Sequence, residues 1–319
     1  MMGYVIIRRM KRLVPARLRP ALLTLFCTGP LLLSACQATS ESAVQRWSEP
    51  AFAGIPDAGK LGELSGMARS NRHDGIFWAM NDGDNAAELV AIDAQAKTRA
   101  TIQVEGVRNI DWEDVASYEI DGRSYLAIAD TGDNGGIRPE LFIHIFEEPE
   151  QLADVTLKPI RSLRFRWADG ARDVESMMAS GQRGRFYLIS KKRVPAELFT
   201  LAMDAADGSS PELLSVLDGI AQPDAKTMNT KGDFGRYRAQ ITGADLEPDG
   251  QVFAVLNYQQ INFFALPERP VPALKPLATI TLPWLPQAEA IGYSADGDSL
   301  FVGSEQAPTP LIRFDRIQP

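Results

Sequence analysis

The sequence predicts an all-β fold, a β-propeller of five four-stranded blades closed by an N-terminal strand. Three observations point to it. Four-residue apolar strand cores recur five times, at Phe77 to Met80, Leu126 to Ala129, Tyr187 to Ser190, Phe253 to Leu256 and Phe301 to Ser304. Each follows a tight turn: Asp74-Gly75, Asp121-Gly122, Gly181 to Gly184, Asp249-Gly250 or Asp296-Gly297. Asp-Gly and Gly-rich turns supply the positive φ that short hairpins need. Finally, the repeats lack helical periodicity, so short strands joined by turns are left to account for the chain.

The first 35 residues stand apart from the repeats. Arg8, Arg9, Lys11, Arg12, Arg17 and Arg19 precede an apolar run from Ala21 to Leu33 that ends in small residues, the pattern of a cleaved export signal. Leu33-Ser34-Ala35-Cys36 is similar to the lipobox of bacterial lipoproteins, which implies a diacylglycerol and a further acyl chain such as palmitate on Cys36. Gln37 after the cysteine resembles outer-membrane sorting. Gly29-Pro30 interrupts the run, which is too short for a membrane span of about 20 residues. Residues 36–43 then read as a lipidated cysteine and a flexible tether, and residues 44–319 as one propeller domain.

Within that domain the strands follow in order. A strand around Val44 to Phe52 is left over at the start and is expected to complete the last blade. Each blade opens with a short strand ahead of its turn and continues with the apolar core. Third strands follow at Glu88 to Ile92, Leu141 to Phe146, Glu197 to Leu201, Ile261 to Leu266 and Leu311 to Phe314. Fourth strands follow in four blades, around Ala100 to Val104, Ile160 to Phe165, Glu212 to Leu217 and Leu277 to Leu282. Gly219 to Arg238 is the longest interruption and a candidate functional loop.

Composition narrows the chemistry. Export removes six of the 33 basic residues and none of the 41 acidic ones, leaving an acidic body that argues against nucleic acid as a partner. Two histidines and two cysteines disfavour histidine triads, multi-histidine metal sites and disulfide scaffolds.

Aligning the innermost strands brings Glu63-x-Ser65, Asp111-x-Glu113, Asp173-x-Glu175, Gln240-x-Thr242 and Gln287-x-Glu289 into register. Asn81, Asp130, Lys191, Asn257 and Glu305 follow the five apolar cores and are expected at the same mouth of the ring, because first and second strands run antiparallel. Carboxylates crowded on one axis repel unless protons or a cation neutralise them. Oxygen-only donors favour a hard ion, and Ca²⁺ tolerates irregular geometry. Glu63, Asp111, Glu113, Glu175 and Glu289 are the candidate metal ligands. The alternative is that these residues seal the channel by bonding backbone amides. The loops Asn81-Asp82-Gly83-Asp84-Asn85 and Asp130 to Gly136 lie beside this mouth.

Asp111-Trp-Glu-Asp-Val-Ala116, Ile128 to Asn134 with Arg138, Asp173-Val-Glu-Ser176, Ile241 to Asp245 and Ala288 to Ile291 with Ser304-Glu305 together resemble a group of exported bacterial propellers. That group is similar to the esterase-like phytase and SdiA-regulated propellers, and more distantly to gluconolactonase-type calcium lactonases. The resemblance implies an axial, often calcium-binding mouth. The histidines of some lactonase propellers have no counterpart, since His73 falls in a hairpin turn and His144 in a third strand.

Two functions remain open. One is a scaffold on the periplasmic side of the envelope that binds a partner protein or small-molecule ligand, with Asn81, Asp82, Asp133, Asn134, Arg138, Asp173, Asn257 and Glu305 as candidate ligand contacts. The other is a metal-dependent hydrolase of phosphate esters, esters or lactones. There Glu113 or Asp130 is the base and Lys191 stabilises the developing anion.

Overall fold

The hairpin turns organise the chain into five small sheets. The computed structural model describes residues 47–229 and 235–317. Blade one contains β2 (Leu64–Arg69), β3 (Ile76–Asn81), β4 (Glu88–Asp93) and β5 (Thr98–Val104). Blade two contains β6 (Trp112–Ile120), β7 (Arg123–Asp130), β8 (Leu141–Glu147) and β10 (Arg161–Phe165). Blade three runs through β11 (Val174–Ser180), β12 (Arg185–Ser190), β13 (Ala196–Ala202) and β14 (Glu212–Leu217). Blade four follows with β15 (Ile241–Leu246), β16 (Val252–Asn257), β17 (Gln260–Ala265) and β18 (Ala278–Thr281). In blade five, β19 (Ala288–Tyr293), β20 (Ser299–Ser304) and β21 (Leu311–Asp315) are completed by β1 (Ala51–Gly54), as the leftover strand at the start of the domain leads one to expect. The fold is a five-bladed β-propeller. The short helix α1 (Ala225–Met228) lies in the long β14–β15 connection.

Closure is made in register, with Ala51 opposite Arg313 and Phe52 opposite Ile312. Upstream, Trp47 bridges to Arg316, stacks on Phe263 at 5.6 Å and lies under the Arg316 guanidinium. Arg316 also donates to the Gly297 carbonyl at 2.9 Å, in the hairpin turn at the end of the ring opposite the mouth. The described chain therefore enters on the face opposite the mouth. Val44 to Arg46 of the expected strand, the signal peptide, Cys36 and the tether lie outside the described residues.

The innermost strands β2, β6, β11, β15 and β19 adjoin in sequence, and β19 returns to β2. Every blade interface has its own apolar cluster. Leu126 and Trp112 meet Trp78 between blades one and two, and Phe301 meets Phe77 between blades five and one. Inner strands of neighbouring blades do not pair as sheets, so side chains satisfy their backbone groups. Asp114 accepts from the Met177 amide and Asp245 from the Tyr293 amide, both at 2.8 Å. Thr242 donates to the Ala288 carbonyl at 2.7 Å. These buried ties join neighbouring inner strands around the ring.

One strand has no counterpart in the sequence reading. The β8–β10 connection contains β9 (Val155–Leu157), which pairs parallel with β5 through Ile102 opposite Val155. It covers the outer edge of blade one, which would otherwise expose unpaired backbone groups.

Candidate functional site

A β-bulge at the same point of every inner strand builds the mouth. Register slips between Leu64 and Gly66, Trp112 and Asp114, Val174 and Ser176, Ile241 and Gly243, and Ala288 and Ala290. The unpaired residues are Ser65, Glu113, Glu175, Thr242 and Glu289. A bulge re-aims the extra residue and bends the strand. At two of these points a hydroxyl ties one inner strand to the next, Ser65 donating to the Glu113 carbonyl at 2.8 Å and Thr242 to Ala288. The other three carry carboxylates, each at most 4% exposed.

Carboxylate oxygens of Asp82, Asp111 and Glu113 lie within 4.8 Å of one another, as do those of Glu113, Asp173 and Glu175. Glu113 belongs to both groups, is 3% exposed, and its carboxyl has no hydrogen-bond or ion-pair partner among the described residues. Gly132 closes the cluster from the β7–β8 loop. A Cβ there would overlap the Glu113 and Asp111 carboxylates, so the missing side chain is what lets the loop backbone approach.

Electrostatics follow from this crowding. Burial, then Glu175 and Asp82, push Glu113 well above the ordinary carboxylate range. Asp82 rises to about 6, chiefly through burial and with Glu289 and Asp111 adding repulsion. Burial also raises Asp111, against the nearby Arg138. Glu175 goes up for the same reason, although Lys191 forms an ion pair with it. Burial opposes the charge on Lys191, yet Glu175, Glu289 and Glu113 hold the ammonium above its usual value.

Of the five ligands expected from sequence, Asp111, Glu113 and Glu175 come together. Asp82 and Asp173 replace the other two in the acidic groups. Glu63 accepts from Asn85 at 2.6 Å and Glu289 from the Tyr258 hydroxyl at 2.6 Å. Near them Glu305 accepts from Gln287 at 2.6 Å; burial and then Glu289 push its carboxyl up to about 10.

The residues after the apolar cores require a correction of register. Asn81, Asp130, Ser190, Asn257 and Ser304 are the true equivalents, because they pair with Leu64, Trp112, Val174, Ile241 and Ala288. Those partners are buried, and cross-strand partners share a face, so this set points into the blades. Asn81 accepts from the Glu63 amide and Asn257 from the amides of Gln259 and Gln260. Lys191 and Glu305 lie one residue farther on, level with Asp82 and Tyr258. Tyr258 was missed for this reason, and counting one step past the strand end would have found it.

Asp130 accordingly points into blade two, with only the Asp111 amide reaching it from the mouth. It pairs with Arg138 at 2.7 Å and lies 3.6 Å from His144 Nε2, while His144 Nδ1 meets Ser162 Oγ at 2.9 Å. This buried chain crosses blade two and holds its strands together. Asp133 caps the Ile137 amide at 2.7 Å and orders its own loop. Asp173 accepts from the Asp133 amide and pairs with Lys192, which also reaches exposed Asn134.

No family model and no curated protein matches the chain. A solved structure described as "Structure of U3-55K" is similar at 12% identity and a TM-score of 0.41, over 80% of this chain and 68% of that one. A likeness of that size carries no argument about function, and the five sheets themselves define the fold.

Proposed function

We propose that the protein is a lipid-anchored propeller of the bacterial envelope, on the periplasmic side of the outer membrane, that binds calcium at its mouth and acts as a scaffold for a ligand or partner. Glu113 carries this reading. A buried carboxyl that no side chain of the described residues hydrogen-bonds, shared by two acidic groups, is costly unless it is protonated or a cation joins it. An all-oxygen donor set suits a hard cation, and calcium accepts an irregular set of carboxylates more readily than magnesium, which demands near-ideal octahedral geometry. Asp82, Asp111, Glu113, Asp173 and Glu175 supply the donors. The resemblance to calcium-binding propellers agrees with this choice.

The scaffold reading is favoured over hydrolysis because two of the three groups that the hydrolase reading names are engaged. Asp130 is held by Arg138, and Lys191 by Glu175. The test is a panel of chromogenic phosphate, ester and lactone substrates, assayed with calcium and with chelator, beside a calorimetric calcium titration. Calcium binding without turnover is expected. Calcium-dependent turnover would establish the hydrolase instead, and absence of binding would remove the metal.

A further inference from the structure

A cleft of about 460 Å³ opens between blades three and four, beside the β11–β12 and β15–β16 hairpin turns at the end of the ring opposite the mouth. Its volume falls within the ordinary range of small-molecule sites, about 300–1,000 Å³. Tyr187, Thr200 and Glu212 are cross-strand partners in blade three, so they stand in a row on one face of the sheet. Tyr187 and Leu214 pack on the apolar cluster shared with blade four, which makes that row one wall of the cleft. Pro267 and Glu268 line it from blade four. Arg183 spans the two blades, donating to the Pro267 carbonyl at 3.1 Å and to the Gly250 carbonyl at 3.3 Å.

The lining holds groups that the protein itself does not use. Thr200 is 9% exposed and its Oγ1 has no hydrogen-bond partner, which costs stability unless a ligand or water completes it. Arg183 and Arg185 both lie near the Tyr187 hydroxyl, and neither pairs with a carboxylate among the described residues. Glu212 and Glu268 likewise pair with no cation there. An unpaired charge on open surface is ordinary, but the walls of a cleft focus the field of the charges that line them. We infer that this cleft binds a small zwitterion of dipeptide size. Arg185, with no hydrogen-bond partner among the described residues, receives the carboxylate together with Arg183, since a guanidinium matches two carboxylate oxygens. Glu212 and Glu268 receive the ammonium, and Leu213, Leu214 and Pro267 the apolar side chain. Charge selects this occupant: a simple anion meets the glutamates and a simple cation meets the arginines. The inference goes beyond the scaffold reading and is independent of calcium, because none of these residues belongs to the mouth.

The full chain, purified in detergent, is titrated calorimetrically with the dipeptide Ala-Leu, with its N-acetyl derivative and with its C-terminal amide. Saturable binding of the free dipeptide at millimolar concentration or below is expected, with both capped forms at least about tenfold weaker. R185Q and the double variant E212Q/E268Q should each bind Ala-Leu about tenfold more weakly, with the melting temperature unchanged because these side chains make no ion pair within the described residues. The capped forms test both charges on the wild-type protein, so the inference stands or falls even where a variant folds poorly. E113Q should bind Ala-Leu as the wild type does, which separates failure of this inference from failure of the metal reading. No saturable binding of Ala-Leu, equal binding of either capped form, undiminished binding by R185Q, or loss of binding in E113Q would overturn the proposal.

Discussion

Replacing Glu113 with Gln separates the metal reading from a sealed mouth. In metal-free protein the Glu113 carboxyl holds its proton well above the ordinary range because it is buried beside Glu175 and Asp82. Gln is a neutral group of nearly the same shape. With chelator present, the substitution should therefore move the melting temperature by no more than about 2 °C. With calcium the outcome differs. A hundredfold excess over the dissociation constant stabilises the wild type by about 2.7 kcal/mol. For a domain of this size that is a rise of roughly 5 °C. E113Q removes the one carboxylate common to both acidic groups and should abolish that rise. The assay is thermal unfolding followed by near-ultraviolet circular dichroism, with millimolar calcium and with EDTA. An equal calcium-dependent rise in wild type and E113Q would refute the reasoning. So would a large loss of stability in E113Q with EDTA, which would show that the carboxyl is a structural bond.

Three further outcomes are expected. In EDTA the protein should lose stability as pH rises from about 4 to 6: Asp82 keeps its proton to about 6 in the folded state against 3.8 when unfolded, so the native state binds more protons across that window. The loss is up to about 3 kcal/mol, read as a falling melting temperature, and calcium should reverse it; a melting temperature that climbs over this range contradicts the assignment. Gly132→Ala places a methyl against the Glu113 and Asp111 carboxylates and should weaken calcium binding at least about tenfold by calorimetry, whereas wild-type affinity would mean that the loop does not shape the site. Cys36→Ser should release the protein from membranes, and a variant that still floats with them in high salt would remove the lipid anchor.

The fold was legible because its determinants are local. Apolar cores of four residues behind Asp-Gly turns fix hairpins, and five hairpins with outer strands leave one strand to close the ring. The strand β9 was not legible: three residues paired with a distant edge carry no periodicity, and only tertiary proximity to β5 makes them a strand. The acidic mouth was visible in outline. Asp111, Glu113 and Glu175 were found because residues two apart share a strand face. The bulges that aim them are invisible in sequence, and so was the one-residue offset in the second strands. That offset hid Tyr258 and made Asp130 look axial, when its opposite number Trp112 is wholly buried. Asp114 and Asp245 stood inside recognised motifs, yet their role in tying neighbouring inner strands depends on backbone amides that no sequence spacing identifies.

Calcium held at the mouth by Glu113 and its neighbours is the proposal on which the other readings of the site depend. Mass-spectrometric elemental analysis of protein purified without chelator tests it most directly, with E113Q carried alongside. Calcium is expected in stoichiometric amount in the wild type and at a much lower level in E113Q. Metal-free wild-type protein that also fails to take up calcium on dialysis would show that protons and Lys191 alone neutralise the mouth.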